Sequence, residues 1–293
     1  MKSAKLFLIA LIILIIACKK NTSIQITEEK YNGTEQFKIQ TPSATYYLEK
    51  EAGGFSSIID RDGNDWIKFK KTENPGVPQS AAADFRGLPN MVHRSDDKGC
   101  GHPGFNKCSS VQLDDRTIRT TSKSGKWQWT WTFFKKFAVL AIDKVDTNNV
   151  YWVLYEGPIA GKYDPGNQYW GTNKDGVRTD KPDRYLKETV YGSWHWAFFG
   201  DYRVNRVLFL AQKEDDQITD TFGFMGNSKT DALNAEDGMV VFGFGREAGA
   251  TPLLTAPDNA FYIGFFEDAV TDSESFETLR LYVENILKRE SSE

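Results

Sequence analysis

The chain has 293 residues, with 40 acidic against 36 basic side chains and a formal net charge of −4. No basic stripe tracks a phosphate backbone, which excludes nucleic-acid binding as its main role. A hydrophobic fraction of 40% suffices for one large core, while 8 Trp, 12 Tyr and 20 Phe exceed what a core requires.

Lys2 and Lys5 precede an apolar run, residues 6–17, that ends at Cys18. A charged start, a short apolar run and a small residue form the layout of a secretory signal, and the run is too short to span a bilayer. Ile15-Ile16-Ala17-Cys18 resembles the lipobox of bacterial lipoproteins, which implies cleavage after Ala17 and a lipid on Cys18. The alternative is a plain signal peptide with a chance cysteine. The expected organisation is a signal over 1–17, a polar tether over 18–27 and one body over 28–293. No later segment is apolar enough to cross a membrane, so the lipid is the expected membrane contact. The expected location is the bacterial envelope, at the outer membrane. Lys19-Lys20-Asn21 lacks an acidic export run, which favours the periplasmic side over the cell surface.

Three cysteines leave Cys100 and Cys108 once Cys18 is assigned to lipid. They enclose a short stretch rich in turn formers, and an exported chain meets an oxidising compartment. A disulfide is favoured over separate thiols or a metal site using His102, because no second Cys/His cluster accompanies it.

The body reads as strand after strand, at 37–39, 46–48, 54–59 and 65–69, with the turn Asp60-Arg61-Asp62-Gly63-Asn64 between the last two. Asp-Gly between apolar runs is a hairpin signal, and turn chemistry is favoured over calcium for Asp60, Asp62 and Asp65. Residues 71–108 are turn-rich, and Pro75, Pro78, Pro89 and Pro103 each remove a ladder donor, so regular sheet is not expected there. Phe85, Leu88, Met91 and Val92 argue that this stretch is ordered and functional. Strands resume at 112. Over 126–133, Trp127, Trp129 and Trp131 alternate with Gln128, Thr130 and Thr132. The tryptophan stripe is favoured as a core face over a ring-stacking platform. Further strands are expected at 138–145, 151–156, 191–199, 206–212, 238–246 and 260–266. Phe276, Leu279, Val283, Ile286 and Leu287 recur at helical spacing, with Ser273 as the cap and Lys288-Arg289 in the last turn. The expected fold is all-β, one large antiparallel β-sandwich with a C-terminal amphipathic helix.

The stretch Gly53-Gly54-Phe55-Ser56-Ser57-Ile58-Ile59-Asp60-Arg61-Asp62-Gly63-Asn64-Asp65-Trp66 resembles the opening hairpin of galactose-mutarotase-like domains. Phe85-Arg86-Gly87-Leu88-Pro89-Asn90, followed by His93, is similar to the loop those domains place over their sugar pocket. The resemblance implies a β-supersandwich that binds or transforms carbohydrates, with a poly- or oligosaccharide as partner.

His93, His102 and His195 are all the histidines present, and their pKa suits proton transfer. β-Elimination of a uronic-acid glycoside needs a cation on the carboxylate, a base for the C5 proton and an acid for the leaving oxygen. His93, Arg94, His195, Tyr191, Tyr155 and Arg203 are the catalytic candidates for that set. Arg86, Asn90, His102, Trp194, Trp196 and Glu156 are the candidates for substrate contact. Hydrolysis would instead use two carboxylates among Asp84, Glu156 and Asp201. The expected function is glycan breakdown, with a lyase ahead of a hydrolase or epimerase and a non-catalytic glycan binder as the alternative. No cofactor and no metal are expected, since no P-loop, dinucleotide, nucleophile-elbow or zinc signature occurs. Cys18→Ala is expected to move the protein from the membrane to the soluble fraction on cell fractionation. Retention in the membrane would overturn the lipid anchor.

Overall fold

The computed structural model describes residues 23–69, 87–93, 107–149, 151–157, 159–225, 238–245 and 259–290. The chain runs through β1 (Gln25–Tyr31), β2 (Thr34–Gln40), β3 (Ala44–Glu49), β4 (Gly54–Asp60), β5 (Asn90–His93) and β6 (Cys108–Gln112). Next come β7 (Thr117–Ser122), β8 (Gln128–Phe133), β9 (Phe137–Lys144), β10 (Tyr151–Gly157), β11 (Gln168–Thr172) and β12 (Gly176–Arg178). β13 (Val190–Gly192), β14 (Trp196–Asp201), β15 (Val207–Gln212), β16 (Asp220–Met225), β17 (Met239–Phe244) and β18 (Ala260–Phe266) precede helix α1 (Ser273–Glu290). The sheets have the orders β1-β2-β3-β4, β13-β16-β17-β10-β5 and β12-β11-β14-β15-β18-β9-β8-β7-β6. Every pairing between named strands is antiparallel. The expected large antiparallel β-sandwich with a C-terminal helix is the fold the chain adopts.

Aromatic contacts show how the layers meet. Trp170 of β11 stacks on Phe222 of β16 at 3.7 Å between centroids, and Tyr155 of β10 meets Phe199 of β14 at 5.0 Å. These pairs join the inner faces of the five-stranded and nine-stranded sheets. The four-stranded sheet packs against the β6–β8 end of the large sheet through Phe55 and Trp131, 4.5 Å apart. Trp127, Trp129 and Trp131 are all buried in this core, as the stripe predicted. Helix α1 covers the other face of the large sheet, where Leu279, Val283, Ile286 and Leu287 pack with Trp196, Phe198, Phe209 and Tyr262.

Several boundaries differ from expectation. The segment read as tether already pairs by residue 25, because Gln25 and Ile26 lie opposite Gln40 and Ile39 and gain a partner strand. Asp65–Phe69 does not continue the hairpin as a strand. The Asp65 carboxylate accepts from the N–H groups of Ile58, Ile67 and Lys68, which coils the chain. An isolated bridge to Ile59 remains, as does a bond from Phe69 N to Ser56 O at 2.9 Å. The Asp60 carboxylate accepts from Asp62 N, Asn64 N and Trp66 Nε1, so turn chemistry occupies it. Within the proline-rich stretch Asn90–His93 does form a short strand, at the sheet edge where few ladder bonds are needed. The expected strand 191–199 is two strands in two sheets. Asp220 accepts from Trp194 N at 2.7 Å and turns the chain between them. The helix cap is Asp272, not Ser273. Ser275 N donates to Asp272 Oδ1 at 2.9 Å and Asp272 N donates to Ser275 Oγ at 3.1 Å, a reciprocal capping box.

One glycine fixes how the small sheet meets the large one. Gly53 has φ +74, and a Cβ there would lie 2.5 Å from Thr120 Cγ2 and 2.6 Å from Trp129 Cζ2. Its carbonyl accepts from Trp129 Nε1 at 3.0 Å. Gly53→Ala is expected to destabilise the fold by about 2–5 kcal/mol, from left-handed strain plus overpacking. Chemical denaturation measures this, and an unchanged midpoint would contradict the packing described.

Candidate functional site

Alternation along the five-stranded sheet sends Tyr155, Phe222, Phe224, Val240 and Phe242 into the core. Their neighbours Leu154, Glu156, Thr221, Gly223 and Val241 therefore lie on the opposite, outer face. The register places Glu156 opposite Val241 and Gly223 opposite Val241 on its other side, so the three form one row across the sheet. Glu156 is 0% exposed.

Above this row lies Arg184. Phe224 N donates to Pro182 O at 2.8 Å, which pins the incoming chain to the edge of β16. A 3-10 turn, Arg184–Leu186, follows. It is closed by Leu186 N and Glu188 N, each donating to Asp183 O at 3.0 Å. The Arg184 stem then lies across Gly223, where a Cβ would come within 2.6 Å of Arg184 Cγ. Only glycine permits that approach. Burial lowers the Arg184 pKa, and the Tyr191 and Glu156 charges oppose that shift. Arg184 Nη1 is buried and donates to no group among the described residues. Tyr191, on the edge strand β13, is 58% exposed. A desolvated cation, a buried carboxylate and an accessible phenol thus share one neighbourhood.

Part of the loop that the sequence assigned to a sugar pocket borders this row. Glu156 N donates to Gly87 O at 3.0 Å, and β5 sets Asn90 opposite Leu154 and His93 opposite Tyr151. The structure therefore brings the β5 backbone, Glu156 and Tyr191 to one sheet, and adds Arg184, which the sequence reading missed. Arg86, Arg94, His102, Cys18 and Cys100 lie outside the described residues. Cys108 is buried at the start of β6.

The other candidates are elsewhere. Tyr155 is a core residue, 0% exposed, and its hydroxyl donates to Trp66 O at 2.7 Å. Trp194 faces the inner core, 6.0 Å from Phe242, while Trp196 faces the helix side, 5.7 Å from Phe276. Both are buried, because the chain crosses between sheets at this point. Arg203 is held by Asp201 at 2.6 Å and Asp164 at 2.9 Å, in the turn after β14. His195 lies in the crossing segment, with Nε2 3.4 Å from Lys213 O. Close by, burial pushes the Asp220 carboxyl up to about 7, although Trp194 N and Gly245 N both donate to it. Burial also raises Asp216, which feels the His195 charge. These groups brace the crossover. Among the described residues no group of three or more His, Cys, Asp or Glu is placed to hold a metal.

No protein-family model matches the sequence, and no curated protein matches it. Solved structures are similar to it in fold. HI1317 superposes with a TM-score of 0.54 at 9% identity, over 84% of this chain and 98% of that one. A galactose mutarotase related enzyme from Lactobacillus acidophilus gives 0.48 at 9% identity, over 81% and 99% of the two chains. A galactose mutarotase-like protein from Lactobacillus casei gives 0.47 at 10% identity, over 79% and 100%. At such identities the likeness is one of fold alone.

Proposed function

We propose that the outer face of β10, β16 and β17 binds a sugar carrying an anionic group and transforms it by proton transfer. The observation that carries this is Arg184, a half-buried guanidinium whose Nη1 finds no acceptor among the described residues, beside the buried Glu156. A carboxylate or phosphate on the sugar would accept from that nitrogen and offset its desolvation. Glu156 would act as the base, buried in the row beside Arg184. Tyr191 would be the acid at the rim.

Two reactions use this set. In β-elimination Arg184 neutralises a uronate carboxylate, Glu156 takes the C5 proton, and the C4–O bond breaks as Tyr191 protonates the leaving oxygen. The charges of Tyr191 and Glu156 both reach Arg184, so the three kinds of group this reaction needs share one neighbourhood. In 1-epimerisation Glu156 takes the O1 proton, an acid protonates the ring oxygen and the ring opens and recloses. This needs only a carboxylate and one acid, and proteins of mutarotase name share the sandwich architecture. The proposal includes attachment at the bacterial envelope through a lipid on Cys18, and a Cys100–Cys108 disulfide formed on export.

Incubation with oligogalacturonate, followed by ultraviolet absorbance, detects elimination. Proton NMR of a freshly dissolved single anomer of galacturonate detects epimerisation. Glu156→Gln is expected to lower whichever turnover is present by about 10²–10⁴-fold. Arg184→Ala should raise KM for anionic sugars, and Arg184→Lys should fail to restore it, because the planar fork is lost. Turnover unaffected by either substitution would contradict the proposal. Binding without turnover would leave a glycan-binding role at the same face.

A further inference from the structure

We infer that the groove between helix α1 and the β8–β9 turn is a second binding site, for an acidic oligosaccharide. The groove encloses about 630 Å³, within the roughly 300–1,000 Å³ typical of ligand sites. Its lining contributes Arg116, Lys135, Lys136 and Arg289 and, among the described residues, no carboxylate. Four cations gathered on a chain of net charge −4 run against the overall sign of the molecule. The helix C-terminus accounts for Arg289, since its dipole favours a cation there. It does not account for Lys135 and Lys136, which sit at the tip of a hairpin.

The turn itself explains their placement. Phe134 N donates to Phe137 O at 2.9 Å, which closes the turn and lays the two rings together, 4.7 Å apart at 18°. The lysines between them are left at the tip, and both are exposed. Tyr282 of α1 forms the facing wall, its hydroxyl donating to Phe265 O at 3.2 Å. Lys136 Nζ lies 5.8 Å from the Tyr282 ring, and the Arg116 guanidinium 5.5 Å from the Phe134 ring. The ring faces are taken by one another and by the cations, so a sugar would meet their apolar edges. Apolar edges beside clustered cations match a pyranose bearing carboxylates or sulfates, whose anionic groups reach the cations. A lipid surface fits less well, because the rings are half-buried in a concave groove and do not protrude.

Helix α1 packs on the outer face of the nine-stranded sheet, whereas Glu156 is on the outer face of the five-stranded sheet. The two sites therefore lie on opposite sides of the sandwich, and the groove would hold a separate stretch of polymer from the one being transformed. The inference shares with the proposed function only the acidic class of the sugar.

Titration calorimetry of the purified full chain with oligogalacturonate tests it in an Arg184→Ala background, which isolates the groove. Lys135→Glu/Lys136→Glu is expected to weaken the remaining binding by about tenfold or more, and raised salt to weaken it further. Phe134→Ala should weaken it without changing the salt dependence. A neutral maltooligosaccharide should not bind. Unchanged affinity in the lysine double variant would overturn the inference, as would equal binding of the neutral sugar. Binding confined to phosphatidylglycerol vesicles and lost in that variant would overturn it in favour of a membrane surface. Loss of all oligogalacturonate binding in Arg184→Ala alone would also overturn it. Normal turnover in Arg184→Ala together with intact groove binding would sink the proposed function and leave this site standing.

Discussion

Tyr155 sets the phase of β10. Its ring packs on Phe199 in the core and its hydroxyl donates to Trp66 O, so the strand cannot slip by one residue without burying the neighbouring carboxylate among aromatic rings. A period of two makes that choice binary. Once Tyr155 faces inward, Glu156 faces outward, and the antiparallel register carries the same phase to Val241 on β17 and Gly223 on β16. The outer row of the five-stranded sheet is thus a consequence of core packing.

The row is useful because of what lies over it. A guanidinium loses hydration when it is laid against a sheet, and lowering of the Arg184 pKa by burial expresses that loss. The turn at Pro182–Leu186 and the missing side chain at Gly223 hold the cation there all the same. A ligand anion would arrive at a donor already positioned, so little ordering remains to oppose binding. Arg203 shows the contrast. Its charge is met at close range by Asp201 and Asp164, and it serves the turn between β14 and β15.

Much of the fold was legible in the chain. The alternation of Trp127, Trp129 and Trp131, the apolar run of 260–266 and the helical spacing after Ser273 each correspond to an element of the structure. The break within 191–199 was hidden, because aromatic residues continue through it and the cause, Asp220, is distant in sequence. The candidate site was half legible. Glu156 and the Gly87–Asn90 segment meet at one sheet. Tyr155 and Trp194 look the same in sequence whether they serve a core or a pocket, and only packing from other strands decides. Arg184 stood in an ordinary turn with no motif. The available signal was Gly223, an isolated glycine inside Thr221-Phe222-Gly223-Phe224, which marks a place where something approaches the strand closely.

The central claim is that a sugar anion binds at Arg184 over the outer face of β10, β16 and β17. A crystal structure of the chain soaked with galacturonate tests it most directly. The predicted result is a carboxylate within hydrogen-bonding distance of the Arg184 guanidinium, with the pyranose ring between Glu156 and Tyr191. A sugar bound elsewhere, with Arg184 uncontacted, would contradict it.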